Sequence, residues 1–429
     1  MSEVEKFRRE AWGIERVLFR IRRPIDEENL VQVFTARDRE LERAIIAIGD
    51  APANLLVNGV FGVGKTVFVQ MLLHELKAQY GEDVLCVSEC LDNADADLAT
   101  TILRGISRAL KTEDREAKDF DDLLTGVELS SQVADKDGGS AKLNLGFFEA
   151  GGSGETSATE SRTRKVVPNA AYQVRQLLER AHGRRPGRRL VVAVDDLDKR
   201  DPNTVRANLL AARSTLHNHP CSFVFTGHPL GILRDAYSSL GGIFDDRIEL
   251  GPLPPESMRE MMLKYLDAGR SPGASLEQIG LHPFTEDSAQ KIIERSFGLP
   301  RVLNVNCYHI LSEAAISRLP KIGLTELQQC WQAAGDRLKQ ATRADVRGLL
   351  EVISEQTEGL DPLSAPDDVV DRLGEIFGVN TLEAIVHKLN ELLQSPEGML
   401  VGIERGGRSL FLSNPLLPPS SNDSTEQQS

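Results

Sequence analysis

The stretch Asn54-Leu-Leu-Val-Asn-Gly59-Val60-Phe61-Gly62-Val63-Gly64-Lys65-Thr66-Val67 constrains this chain more than any other. Leu55 to Val57 read as a buried strand, a glycine-rich turn follows, and Thr66 to Lys77 continue at helical spacing. The pattern G-x-x-x-x-G-K-T therefore stands in the strand, loop and helix context of a phosphate-binding loop. Gly59, Gly62 and Gly64 let backbone N–H groups face an anion where a Cβ would obstruct, and the helix starting near Lys65 aims its positive dipole end at the same point. Lys65 offers a point charge to the β and γ phosphates and is expected to be solvated when none is bound. Thr66 offers a hydroxyl to Mg²⁺. The expected cofactors are ATP and Mg²⁺, with residues 59 to 67 as the nucleotide cradle.

A second motif, Leu190-Val-Val-Ala-Val-Asp195-Asp196-Leu-Asp198, is an uninterrupted apolar run with carboxylates at its carboxyl end. Such a run suits a central parallel strand covered on both faces, whose carboxyl end opens into the ligand crevice. Asp195 is the candidate Mg²⁺ carboxylate, with Thr66, and Asp196 the candidate that orients or deprotonates the attacking water. Further short strands are expected at Asp83 to Glu89, at Cys221 to Thr226 and from Arg247. Five strands separated by helices or long connections predict a parallel sheet in an αβα sandwich.

At 429 residues the chain has room for two or three domains. A formal net charge of -14 argues against a body coated in nucleic acid, so any basic patch must be argued locally. Five scattered cysteines, Cys86, Cys90, Cys221, Cys307 and Cys330, form no C-x-x-C pair and suit packed, reduced thiols. No apolar run approaches a membrane span and the N-terminus has no signal-peptide core, so a cytoplasmic protein without membrane contact is expected.

Residues 1–30 mix bulky apolar positions with arginines and glutamates and read as a packing arm with a solvated face. Thr35 reads as the N-cap of a helix carrying Leu41, Ala44, Ile45 and Ile48 on one face. The nucleotide-binding domain is expected over 31–250, interrupted at about 130–165 by an inserted hairpin or flexible loop whose Gly/Ser/Thr-rich tract spans 137–161. The arginines of 183–189 read as a solvated loop on the rim opposite the nucleotide. Helices without strands over 251–342 predict an all-helical lid. Three helices and a hairpin turned by Gly406-Gly407 over 343–416 predict a winged helix, and 417–429 a disordered polar tail.

With these parts in order, residues 31–416 resemble the AAA+ ATPases of the origin-recognition and Cdc-type initiator group. Phe34-Thr35-Ala36-Arg37-Asp38 is similar to that group's F-x-G-R-E entry, with Ala36 in the place of Gly, and Asp195-Asp196 stands where the family commonly has Asp-Glu. The resemblance implies that Thr226, with His228 as a weaker candidate, occupies the polar sensor-1 position. It implies that Arg301 of Gly298-Leu-Pro-Arg301 reaches the γ-phosphate from the lid. Arg247 lies near where such proteins present an arginine finger, and a salt bridge to Asp245 or Glu249 is its other reading.

The function expected is an ATPase that assembles through ATP-bridged interfaces, as a homo-oligomer or hetero-oligomer, and loads or remodels a DNA-bound or protein partner. Duplex DNA would be met by the winged helix. The alternative is an ATP-driven signalling switch or a subunit of an antiviral defence system, with the winged helix as a protein contact. The helix after Thr381 carries only His387 and Lys388 as groups able to bear positive charge beside Glu383 and Glu391, which favours neither base reading nor strong phosphate contact.

Overall fold

The computed structural model describes residues 2–19, 27–90, 98–113, 170–184, 186–195, 197, 202–217, 221–227, 242–341, 344–356, 359–393, 399–405 and 408–417. The insertion expected at 137–161, Asp196, His228, the Gly406-Gly407 turn and the chain beyond 417 lie outside the described residues.

Five parallel strands form one sheet: β1 (Asn54–Asn58), β2 (Val84–Cys90), β3 (Arg189–Asp195), β4 (Cys221–Gly227) and β5 (Asp246–Glu249), in the order β2-β3-β4-β1-β5. Side chains of consecutive strand residues point to opposite faces, and both faces are covered. Leu55 and Val57 of β1 with Val191 and Ala193 of β3 join the core beneath the helices Asp38–Asp50 and Lys65–Tyr80. Leu56, Val192 and Val194 join the opposite core with the helices Leu98–Glu113 and Ala170–Arg184. That two-sided burial is why these strands read as unbroken apolar runs rather than alternating ones. The helices Pro202–Ala211 and Arg213–His217 carry the chain from β3 to β4 and were not anticipated. The arginine-rich rim is more engaged than a solvated loop implies: the Arg189 guanidinium stacks over Tyr80, 4.2 Å from the ring centroid, and donates to the Gly49 carbonyl at 3.1 Å.

A second core is helical, built from Pro255–Ala268, Glu286–Glu294, Pro300–Ile316 and Leu324–Ala341. The N-terminal arm belongs to it. Its helix Glu3–Trp12 has a complete capping box at Ser2 and Glu5, and Trp12, Ile14, Leu18 and Phe19 are buried among the lid helices. Phe19 stacks on Tyr265 with centroids 5.2 Å apart, and the Trp12 indole donates to the Leu319 carbonyl at 3.0 Å. The Arg270 guanidinium, with its side chain 6% exposed, donates to the carbonyls of Trp12, Gln278, Gly280 and His282 and pairs with Asp267. The apolar residues Trp12, Ile14, Leu18 and Phe19 thus serve as core, while Arg9, Glu10, Glu15 and Arg16 are exposed.

The C-terminal unit has the expected order: helices Ala344–Ser354, Asp367–Phe377 and Leu382–Leu393, then the antiparallel pair β6 (Leu400–Arg405) and β7 (Arg408–Ser413). Leu360 adds a short bridge to Phe411, exchanging backbone bonds of 2.9 and 2.8 Å. Leu417, given to the polar tail by its position in the sequence, is instead buried with Leu416 in the helical core, where the Trp331 indole donates to the Pro415 carbonyl at 2.6 Å. No helix among the described residues is long and apolar enough to cross a membrane.

Candidate functional site

The phosphate-binding loop is built as its sequence predicts, for reasons that differ among its glycines. Gly62 has φ +84°, where a side chain is strained, and a Cβ there would come within 3.0 Å of Arg301 Cβ. Gly59 is required by space instead, since a Cβ would lie 2.6 Å from the Leu250 carbonyl and 2.9 Å from Val63 Cγ1. The helix Lys65–Tyr80 starts at Gly64 without a side-chain cap, leaving its first N–H groups for another acceptor. Val60 and Val63 of the loop are themselves buried. Lys65 departs from expectation. It is not solvated: the side chain is folded back, 8% exposed, and Nζ donates to the carbonyls of Gly59 at 2.9 Å and Val60 at 3.4 Å.

Asp195 closes β3 at the crevice, 5% exposed. The Thr66 hydroxyl donates to its Oδ2 at 2.6 Å and the Thr226 hydroxyl to its Oδ1. The strand order explains this meeting. β4 lies between β3 and β1, so Thr226, near the end of β4, stands between the carboxylate and the loop leaving β1. One carboxylate is thus gripped by the two hydroxyls that sequence assigned to separate roles.

The lid reaches the same place. Gly298, with φ +70°, leads into the helix Pro300–Ile316, whose first turn sits on the loop. The backbone N–H of Arg301 donates to the Gly62 carbonyl at 3.1 Å, and the guanidinium lies 4.7 Å from the centroid of the Phe61 ring, within the range of a cation–π contact. Arg301 is therefore brought to the cradle. Arg247 is not shown beside it: on the edge strand β5 it pairs with Glu249, and its backbone N–H donates to Asp246 at 2.7 Å. Glu249 also accepts from the buried Asn58 amide at 2.8 Å, a residue that sequence did not single out.

Thr35 is not the N-cap expected of it. Its hydroxyl donates to the Val33 carbonyl at 3.0 Å, at the end of the preceding helix Glu27–Val33, and the position before Asp38–Asp50 is Arg37, without a side-chain cap. Ala36 has φ +55°, a left-handed turn that accounts for a glycine at this point of the motif. The turn buries Arg37, which donates to the Gly251 carbonyl and to Glu40 at 3.3 Å. Burial lowers the Arg37 pKa, and Glu40 opposes that shift. The motif residue thus ties the entry of the nucleotide-binding domain to the segment leading into the lid.

Residues 33–224 match the family described as AAA ATPase domain. No curated protein matches the chain. Among solved structures it is similar to the ORC1 protein of Aeropyrum pernix in complex with DNA, at 14% identity and TM-score 0.45 over 91% of this chain and 93% of that one. It is likewise similar to Cdc6p from Pyrobaculum aerophilum, at 15% identity and TM-score 0.44 over 92% and 95%. The Aeropyrum pernix ORC2 protein gives 12% identity and TM-score 0.48 over 90% and 91%.

Proposed function

We propose that this chain, whose residues 33–224 form an AAA ATPase domain, binds ATP with Mg²⁺, assembles through the bound nucleotide and hydrolyses it to act on a macromolecular partner. The observation that carries the reading is the buried carboxylate of Asp195, held by Thr66 and Thr226 at the mouth of a cradle containing Lys65. Its donor set suits the cofactor: an ammonium and uncapped helix N–H groups for phosphate, and a hydroxyl with a carboxylate for a hard divalent cation.

In this reading residues 59–67 and Lys65 hold the phosphates, and Thr66 with Asp195 holds the metal, which supplies charge neutralisation to the transferring group. Asp196 orients the attacking water and accepts its proton, Thr226 keeps the Asp195 carboxylate in register, and Arg301 adds positive charge from the lid. Arg247 is proposed to leave Glu249 and complete the site of a neighbouring subunit, an effect worth on the order of 10³ in rate where such arginines act. Binding of a fluorescent ATP analogue should require Mg²⁺ and vanish in Lys65→Ala, while Asp196→Asn should keep binding and lose most phosphate release. Equal affinity in wild type and Lys65→Ala would refute the site.

For the partner, one observation favours the signalling or defence switch over a DNA loader. On the helix Leu382–Leu393 the Lys388 ammonium pairs with Glu391 at 2.7 Å, and the His387 ring lies 3.4 Å from the same carboxylate. A helix whose lysine pairs with its own carboxylate has little to offer phosphate, so the C-terminal unit reads better as a protein contact.

A further inference from the structure

The C-terminal unit does not stand apart from the nucleotide cradle, and one side chain joins them. Val401 of β6 is 3% exposed and belongs to the core under the phosphate-binding loop, with Ile403 and Leu412 packed against it. In the other direction Phe61, between Gly59 and Gly62, packs against the core of the C-terminal unit, which contains Leu349, Leu389 and Phe411. The same Phe61 ring receives the Arg301 guanidinium at 4.7 Å. A loop residue of the cradle therefore touches the lid arginine and the C-terminal unit together.

We propose that Phe61 couples nucleotide occupancy to the seating of the C-terminal unit, releasing it when the cradle fills. The proposal rests on the nucleotide reading above. One contact seen here competes with a bound polyphosphate. Arg301 faces the Phe61 ring, and a charge-assisted bond to phosphate is the stronger interaction for a guanidinium. That exchange uncovers the ring by which the C-terminal unit grips the segment 59–62. A ligand shifts a conformational equilibrium only by its differential contacts with the two states, and this contact supplies the difference.

The test is hydrogen exchange of the hairpin peptide spanning 399–413 in the full chain, with and without a saturating, slowly hydrolysed ATP analogue and Mg²⁺. Binding is measured in parallel by fluorescence. Wild type should exchange about tenfold faster at the hairpin when the analogue is bound. Phe61→Ala should exchange fast even without it, because the packing is gone. Phe61→Leu keeps an apolar group but offers the guanidinium no ring, so its hairpin should exchange slowly in both states. Bound analogue with unchanged wild-type exchange overturns the coupling and leaves nucleotide binding intact, as does a Phe61→Leu protein that responds like wild type. Failure of wild type to bind the analogue removes the nucleotide reading and the coupling with it.

Discussion

Lys65 and Ala36 are the residues at which the structure alters the expected energetics. A solvated lysine could be deleted from the empty protein without cost, but this one satisfies two loop carbonyls. Lys65→Ala is therefore expected to lose stability as well as nucleotide, by about 1–3 kcal/mol, since hydrogen bonds to charged groups are worth more than neutral ones. Urea unfolding of the nucleotide-free protein measures it, and an unchanged midpoint would mean that the two carbonyls are satisfied by water. Ala36 at φ +55° holds a conformation costing about 1–2 kcal/mol for a residue with a Cβ, against about 0.4–1 kcal/mol of unfolded-state entropy that a glycine would add. Strain wins that comparison, and Ala36→Gly is expected to stabilise by about 0.5–1 kcal/mol in the same assay. A fall in stability would show that the left-handed turn is unstrained.

Among the elements, the N-terminal arm and the lid helices make one body whose stability depends on pH. His282 donates to the Ala11 carbonyl at 3.1 Å, which requires Nε2 to carry a proton. Burial lowers its pKa most, the Ala11 carbonyl raises it, and Arg270 and Lys321 lower it further. Burial followed by Arg337 lowers that of His309 as well. Both folded values thus lie below 6.5. Between the folded and unfolded values the unfolded chain binds more protons, so stability is complete above pH 6.5 and falls as pH drops below it. Urea midpoints taken downward from neutral pH should show that loss, and His282→Gln with His309→Gln should flatten it. A profile flat through this window in wild type would contradict the assignment. Arg270→Ala leaves the carbonyls of Trp12, Gln278, Gly280 and His282 without their donor, so it should cost about 1–3 kcal/mol and free the arm to proteolysis.

For the whole molecule, the question is what the C-terminal unit meets. Arg405 and Arg408 are paired in register and exposed at the tip of β6–β7, while the base of the same hairpin lies against the nucleotide-binding core. Any duplex contact made there would be to backbone and nearly independent of sequence. If the assembled, ATP-bound protein binds duplex DNA, Arg405→Ala with Arg408→Ala should reduce the logarithmic salt slope by about two. An unaltered slope excludes the tip from the contact, and no duplex binding by wild type at low salt would leave the protein-directed switch as the function.

Local spacing by itself determined the cradle, the apolar strands and most helices. Those signals are periodicities and turn chemistry, which a short window contains. It also marked Asp195, while Arg301 came only from the family resemblance of its motif. What it could not contain was adjacency. Thr226 meets Asp195 because β4 inserts between β3 and β1, an order that no segment's own pattern specifies. Thr35 looked like a cap because its neighbours had helical spacing, but the left-handed Ala36 turned the chain and passed that position to Arg37. Phe61 appeared only as a loop position, since its value lies in faces supplied by Arg301 and by residues near 349–411. Contacts between residues hundreds of positions apart are decided by how whole layers pack, and only the tertiary structure carries that information.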